Sequence, residues 1–111
     1  MPRPRKVKLS PHTFAVKYDD NLGAAAGLSG MCDEQNTVIV IDPTFSLTIQ
    51  RDSLLHEVTH GIWGQTSLDK DYPDHEPASE GEKIITTLAP RFLAFIQDNP
   101  AVIAWLQGRD E

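Results

Sequence analysis

A chain of 111 residues is one domain with room for a modest hydrophobic core, which excludes a large multi-lobed enzyme. A formal net charge of −6 argues against a protein built mainly to bind nucleic acid. The only cysteine, Cys32, excludes an intrachain disulfide and fits a reducing compartment, and no stretch approaches the ~20 apolar residues of a membrane span.

Residues 1–5 carry two prolines and read as a flexible arm. Arg3, Arg5, Lys6, Lys8 and Lys17 hold half of the ten basic residues, and no apolar run follows them. They read as a solvated leader into the first strand, not as a secretory signal or a nucleic-acid arm, so the expected location is cytoplasmic. Alternation and β-branched content predict strands over 6–9 and 13–18, with Ser10-Pro11-His12 as the turn. The segment 19–30, with three glycines and three alanines, predicts at most one helical turn. A hairpin follows over 30–33 and 37–42 with Glu34-Gln35-Asn36 at its tip. The unbroken run Val38-Ile39-Val40-Ile41 predicts a strand covered on both faces. Cys32, between Met31 and Asp33, reads as a small strand residue and not as a nucleophile.

The first long helix is predicted to begin between Ser46 and Ile49, capped by Ser46 or Thr48, and to run to Trp63, with Gly64 as a left-handed stop. Leu55, Val58 and Ile62 fall at core spacing. A polar connector with Pro73 and Pro77 spans 65–78. A second helix is predicted over 79–96 with a kink at Pro90, on the stripe Ile85, Leu88, Ala89 and Phe92. A third runs over 100–107, with Pro100 at its first position and Gly108 closing it. The whole reads as a single α+β domain over 1–111, a small three- to four-stranded sheet packed on the first long helix and two C-terminal helices.

That first helix carries His56-Glu57-Val58-Thr59-His60, the H-E-x-x-H arrangement of helical zinc sites. Side chains four apart in an α-helix lie about 40° from each other and one turn along, so two imidazoles can meet one Zn²⁺ ion. Glu57 then sits beside a metal-bound water as general base. A third protein ligand is still required. The metzincin positions for it hold Thr66 and Trp63, which excludes that class. His75, Glu76, Glu80 and Glu82 remain. On the second helix Glu82 falls nearer the apolar stripe than Glu80, and a carboxylate there is costly unless paired or metal-bound. Ser79-Glu80-Gly81-Glu82 also fits a capping box, so both readings of Glu82 stand, with Glu80 as the reserve ligand.

Leu54-Leu55-His56-Glu57-x-x-His60, then Glu82-x-x-Ile85-x-x-Leu88-Ala89 and the closing Asp98-Asn99-Pro100, resemble the small zincin-like metallopeptidases of phages and prophages, distant relatives of the ImmA/IrrE type of gluzincin. The resemblance covers 37–106 and departs from the pattern at Gly81 and Pro90. It implies zinc held by His56, His60 and Glu82, with Glu57 as the catalytic carboxylate. The expected function is zinc-dependent hydrolysis of peptide bonds, with a peptide or protein substrate paired to an exposed sheet edge and Tyr72 or His75 near the oxyanion. The alternative is a catalytically silent zinc-binding or protein-interaction module of phage or prophage origin. Trp63 and Trp105 read as core residues.

Overall fold

Short apolar alternations in the N-terminal part of the chain and longer amphipathic segments after it separate into a sheet and a helical layer. The computed structural model describes residues 3–109. Its elements in chain order are β1 (Lys6–Leu9), β2 (His12–Tyr18), α1 (Leu22–Ala26), β3 (Gly30–Asp33), β4 (Val38–Ile41), α2 (Leu47–Gly64), α3 (Leu68–Asp71), α4 (Glu80–Asp98) and α5 (Pro100–Leu106). The sheet has four strands in the order β1-β2-β4-β3. β1 pairs antiparallel with β2, β4 runs parallel to β2, and β3 closes antiparallel on β4 as an edge strand. The fold is α+β, as the patterning implies. α3 is an addition that the polar connector did not announce.

Period-two alternation sends Phe14 and Val16 from β2 and Ile39 and Ile41 from β4 to one face. There they join Leu9 in a buried core against which Leu54 and Val58 of α2 pack. Val38 and Val40 point the other way and stay half-exposed. The expectation of a strand covered on both faces is therefore corrected, since one face of β4 is buried and the other only partly so. Residues 3–5 are likewise tied down. Arg3 Nε donates to Gln50 Oε1 at 2.8 Å, Tyr18 Oη donates to the Pro4 carbonyl at 2.7 Å, and Val16 N–H donates to the Arg5 carbonyl at 2.9 Å. The remainder of the expected flexible arm, Met1 and Pro2, lies outside the described residues.

α2 starts at its cap, with Ser46 Oγ accepting from Ile49 N–H at 3.3 Å. It does not stop at a left-handed Gly64, which stays inside the helix. Gln65 caps it with φ −90°. The residues α2 buries are Gln50, Ser53, Glu57 and Gly61, whereas Ile62, expected in the core, is 47% exposed. At Gly61, and where Ser53 and Glu57 face Gly30, the helix and sheet lie too close for a further side chain between them. A Cβ on Gly61 would stand 2.8 Å from Leu9 Cδ1, and one on Gly30 of β3 would stand 3.3 Å from Ser53 Cβ and from Glu57 Cγ. Gln50 and Ser53 are satisfied where they are buried. The Gln50 amide donates to the Phe45 carbonyl at 2.7 Å, and Ser53 Oγ shares a 2.6 Å hydrogen bond with Ser29 Oγ.

α4 packs against α2, burying Gly81, Ile85 and Ala89, and continues through Pro90 as one helix. Leu88 and Phe92 of its expected core stripe are exposed, as is Trp105 of α5. Among the described residues, no helix is long and apolar enough to cross a membrane.

The one-sided core makes a contrast that denaturation can measure. Ile39, fully buried, should cost about 2–5 kcal/mol on replacement by alanine. Val40→Ala on the open face should cost about 1 kcal/mol or less. Equal losses in urea or thermal melts would mean that both faces of β4 are covered.

Candidate metal centre

The helical spacing of α2 sets His56 and His60 one turn apart with ring centroids 4.8 Å from each other. Their Nε2 atoms converge to 3.1 Å. Across from them the first turn of α4 supplies Glu82, whose Oε1 lies 3.1 Å from His56 Nε2 and 3.0 Å from His60 Nε2. These three side chains form a group that could hold a metal ion. In a tetrahedral site with bonds of about 2.0–2.1 Å, donor atoms stand about 3.3–3.4 Å apart, close to the separations found here.

The capping alternative for Glu82 is realised only in half. Ser79 Oγ accepts from Glu82 N–H at 3.4 Å, so Ser79 caps α4. The Ser79 amide itself donates to the Glu76 carbonyl at 3.1 Å, which leaves the Glu82 carboxylate free to face the imidazoles. Glu80, the reserve ligand, is exposed and outside the group. His12 starts β2 on an exposed position, also outside it. His75 and Glu76 line the groove beside the cluster without joining it, and Tyr72 does not line that groove.

Behind His60 stands Asp74, 3% exposed, with Oδ2 accepting from His60 Nδ1–H at 2.7 Å. An ionised carboxylate only accepts, so this bond puts the proton on Nδ1 and turns the Nε2 lone pair toward the cluster. A carboxylate behind a histidine is the usual support of a metal-ligating imidazole. Among the described residues Asp74 Oδ1 is buried with no hydrogen-bond partner. Three acceptor atoms meet in front. One proton can bridge two of them, whereas one cation satisfies all three together.

Sequence reasoning does not single out Asp74, since nothing along the chain separates it from Asp69 and Asp71 in the same acidic connector. The one signal is Gly81, a glycine inside the first turn of a helix. A Cβ there would fall 2.7 Å from the Pro73 carbonyl oxygen and 2.9 Å from Asp74 Cβ, and its N–H donates to that same carbonyl at 2.9 Å. Gly81 thus lets the connector lie flat on α4 and brings Asp74 behind His60.

Glu57 is 8% exposed on the sheet side of α2. Burial raises its carboxyl to about 7, with Glu82 adding to the rise and His60 opposing it. Burial holds His56 below its ordinary value against the pull of Glu82. For His60, burial alone would lower the pKa, but the hydrogen bond to Asp74 and the charges of Glu57 and Glu82 outweigh it and the net direction is upward. A groove of about 680 Å³ opens over the cluster, bordered by Gly30, Met31 and Cys32 of edge strand β3. Burial, with Glu34 beside it, pushes the Cys32 thiol up to about 12, so it stays protonated. No family model, curated protein or solved structure matches the chain.

Titration of variants with a divalent ion separates the roles. Glu82→Ala should abolish tight binding, and Asp74→Ala should weaken it about 10–100-fold by freeing the His60 ring. Glu80→Ala should leave it unchanged. Ser79→Ala should cost about 0.5–2 kcal/mol of stability with affinity intact. A larger affinity loss from Glu80→Ala than from Glu82→Ala would overturn the ligand set.

Proposed function

We propose that the protein is a zinc-dependent peptidase acting on extended, positively charged peptide segments. The observation that carries this reading is the convergence of His56, His60 and Glu82 beside the buried Glu57, on the floor of a groove walled by an edge strand. Two imidazoles and one carboxylate are the donor set of hydrolytic zinc sites that keep a position open. The resemblance of the H-E-x-x-H run to zincin-like peptidases points the same way. A bound zinc ion would polarise the scissile carbonyl and bring the pKa of water toward ~7.

The chain's own residues supply the rest. Glu57, one residue from His56 and shielded from bulk solvent, takes the proton of the attacking water and returns it to the leaving amine. Asp74 holds the His60 ring at the orientation that keeps its Nε2 lone pair forward. β3 has β4 on one side only, so its second row of main-chain groups can pair with an extended substrate without reading a particular sequence.

Charge narrows the substrate. Glu34, Asp52, Glu57, Asp74, Glu76 and Glu82 line the groove, and among the described residues no lysine or arginine does. Even with a divalent ion at the centre, Glu34, Asp52 and Glu76 remain along its walls. A low-dielectric cleft of one sign concentrates ligands of the other.

Two measurements test the proposal. Glu57→Gln should retain zinc and lose at least about 100-fold in turnover. On a panel of quenched fluorescent peptides, those carrying Lys or Arg should be cleaved faster than acidic ones, with the advantage shrinking as salt rises. Unchanged turnover in Glu57→Gln would remove that residue from the chemistry. A zinc-loaded protein that cleaves no peptide would leave the silent metal-binding module as the reading.

A further inference from the structure

We infer that the C-terminal helices form the interface of a twofold homodimer, with the second half of α4 from two copies packed antiparallel. The inference uses none of the metal-site residues. Leu88, Phe92, Phe95 and Ile96 of α4 and Val102, Trp105 and Leu106 of α5 are all exposed, Phe92 by 51% and Trp105 by 68%. At about 200 Å² for a large apolar side chain, these exposures leave on the order of 700 Å² uncovered. Spread over two consecutive helices, that total approaches the ~800 Å² per partner of a stable interface.

Charge selects a second copy as the occupant. Between positions 84 and 108 the only charged residues are Arg91 and Asp98. Both are exposed, and neither forms an ion pair among the described residues. Seven residues apart, they lie within about 20° on the helix surface and about 10.5 Å along it, too far to pair with each other. Both flank the same side of the stripe formed by Leu88, Phe92 and Phe95. A twofold axis crossing α4 between positions 94 and 95 sets each Arg91 opposite Asp98 of the second copy, so both charges are matched twice. The same axis brings the two Phe95 rings together and sets Phe92 against Ile96 of the second copy. An isologous contact needs this kind of self-complementarity. A membrane or an unrelated apolar partner would not account for an acid and a base two turns apart on one side of the stripe.

Sedimentation equilibrium of the full chain tests this, with circular dichroism as the check on folding. At about 100 µM the wild-type protein should approach twice its 12.3 kDa monomer mass. Phe95→Asp should return it to the monomer mass with its spectrum retained, since that residue is already exposed, and its melting temperature should match that of wild-type protein diluted to the monomer. Arg91→Glu and Asp98→Arg, made singly, should each raise the dimer dissociation constant about tenfold or more, and the double exchange should restore it. A wild-type chain that stays monomeric, or that is monomeric and binds neutral lipid vesicles, would overturn the inference. So would a dimer indifferent to Phe95→Asp, or single charge reversals that the double exchange does not rescue.

Discussion

The approach of the connector at 72–74 to the first turn of α4 governs the geometry of the whole site. Two histidines on one helix are a common arrangement and hold nothing until a third donor is brought to them and their rings stop turning. Here both requirements are met by one contact. The Pro73 carbonyl accepts the Gly81 amide, so the backbone of the connector rests where a side chain would otherwise stand. On one side of that contact Glu82 faces the imidazoles, and on the other Asp74 grips His60 from behind. The absence of a Cβ at position 81 therefore sets the third donor and its support together. The glycine that departs from the resemblance pattern is what this site depends on.

The second constraint is the closeness of α2 to the sheet. An amphipathic helix ordinarily turns its bulkiest residues to the core, but this one buries Gln50, Ser53, Glu57 and Gly61, the last three against β3 and β1. Burying polar groups costs stability unless they are bonded, and the Gln50 and Ser53 hydrogen bonds offset that cost. Glu57 lies in the same stripe. Its raised carboxyl follows from the helix-to-sheet distance, because the space that would hydrate a carboxylate on a surface helix is filled here by Gly30 and its strand. A carboxyl raised toward neutrality is thus a by-product of tight packing that small residues allow.

Much of this was legible in one dimension, and what was not has physical reasons. Local chemistry marked Ser46 and Ser79 as caps, Pro100 as a helix start and 30–42 as a hairpin, since each depends only on neighbouring residues. The H-E-x-x-H spacing brought His56, Glu57 and His60 forward, and the position of Glu82 relative to Ile85 set it apart from Glu80. On α2, Val58 packs on the core as its spacing implies, but Ile62 is exposed and Gln50, Ser53 and Glu57 are buried, because hydrophobicity cannot announce how near the sheet will lie. Asp74 is invisible because its burial is decided by Gly81, seven residues away on another element. The open face of β4 and the free edge at β3 are properties of strand order, which comes from the parallel β2–β4 pairing and leaves no local signature.

Pro90 divides α4 into two halves with different surroundings. Before it, Ile85 and Ala89 are buried against α2, and Glu82 and Thr86 face the groove. After it, the apolar stripe continues as Phe92, Phe95 and Ile96, which stay exposed. Proline has no N–H to offer the Thr86 carbonyl, so one link of the helical ladder is missing where the two halves meet, and Thr86 and Pro90 both line the groove there. A helix that loses a hydrogen bond in its middle depends more on side-chain packing to hold the two halves in place. The half before Pro90 has that packing within the chain, and the half after it acquires it from a second copy. Dimerisation would then hold the helix that carries Glu82 from its far end, which couples the order of the His56–His60–Glu82 cluster to an interface centred about one turn beyond Pro90.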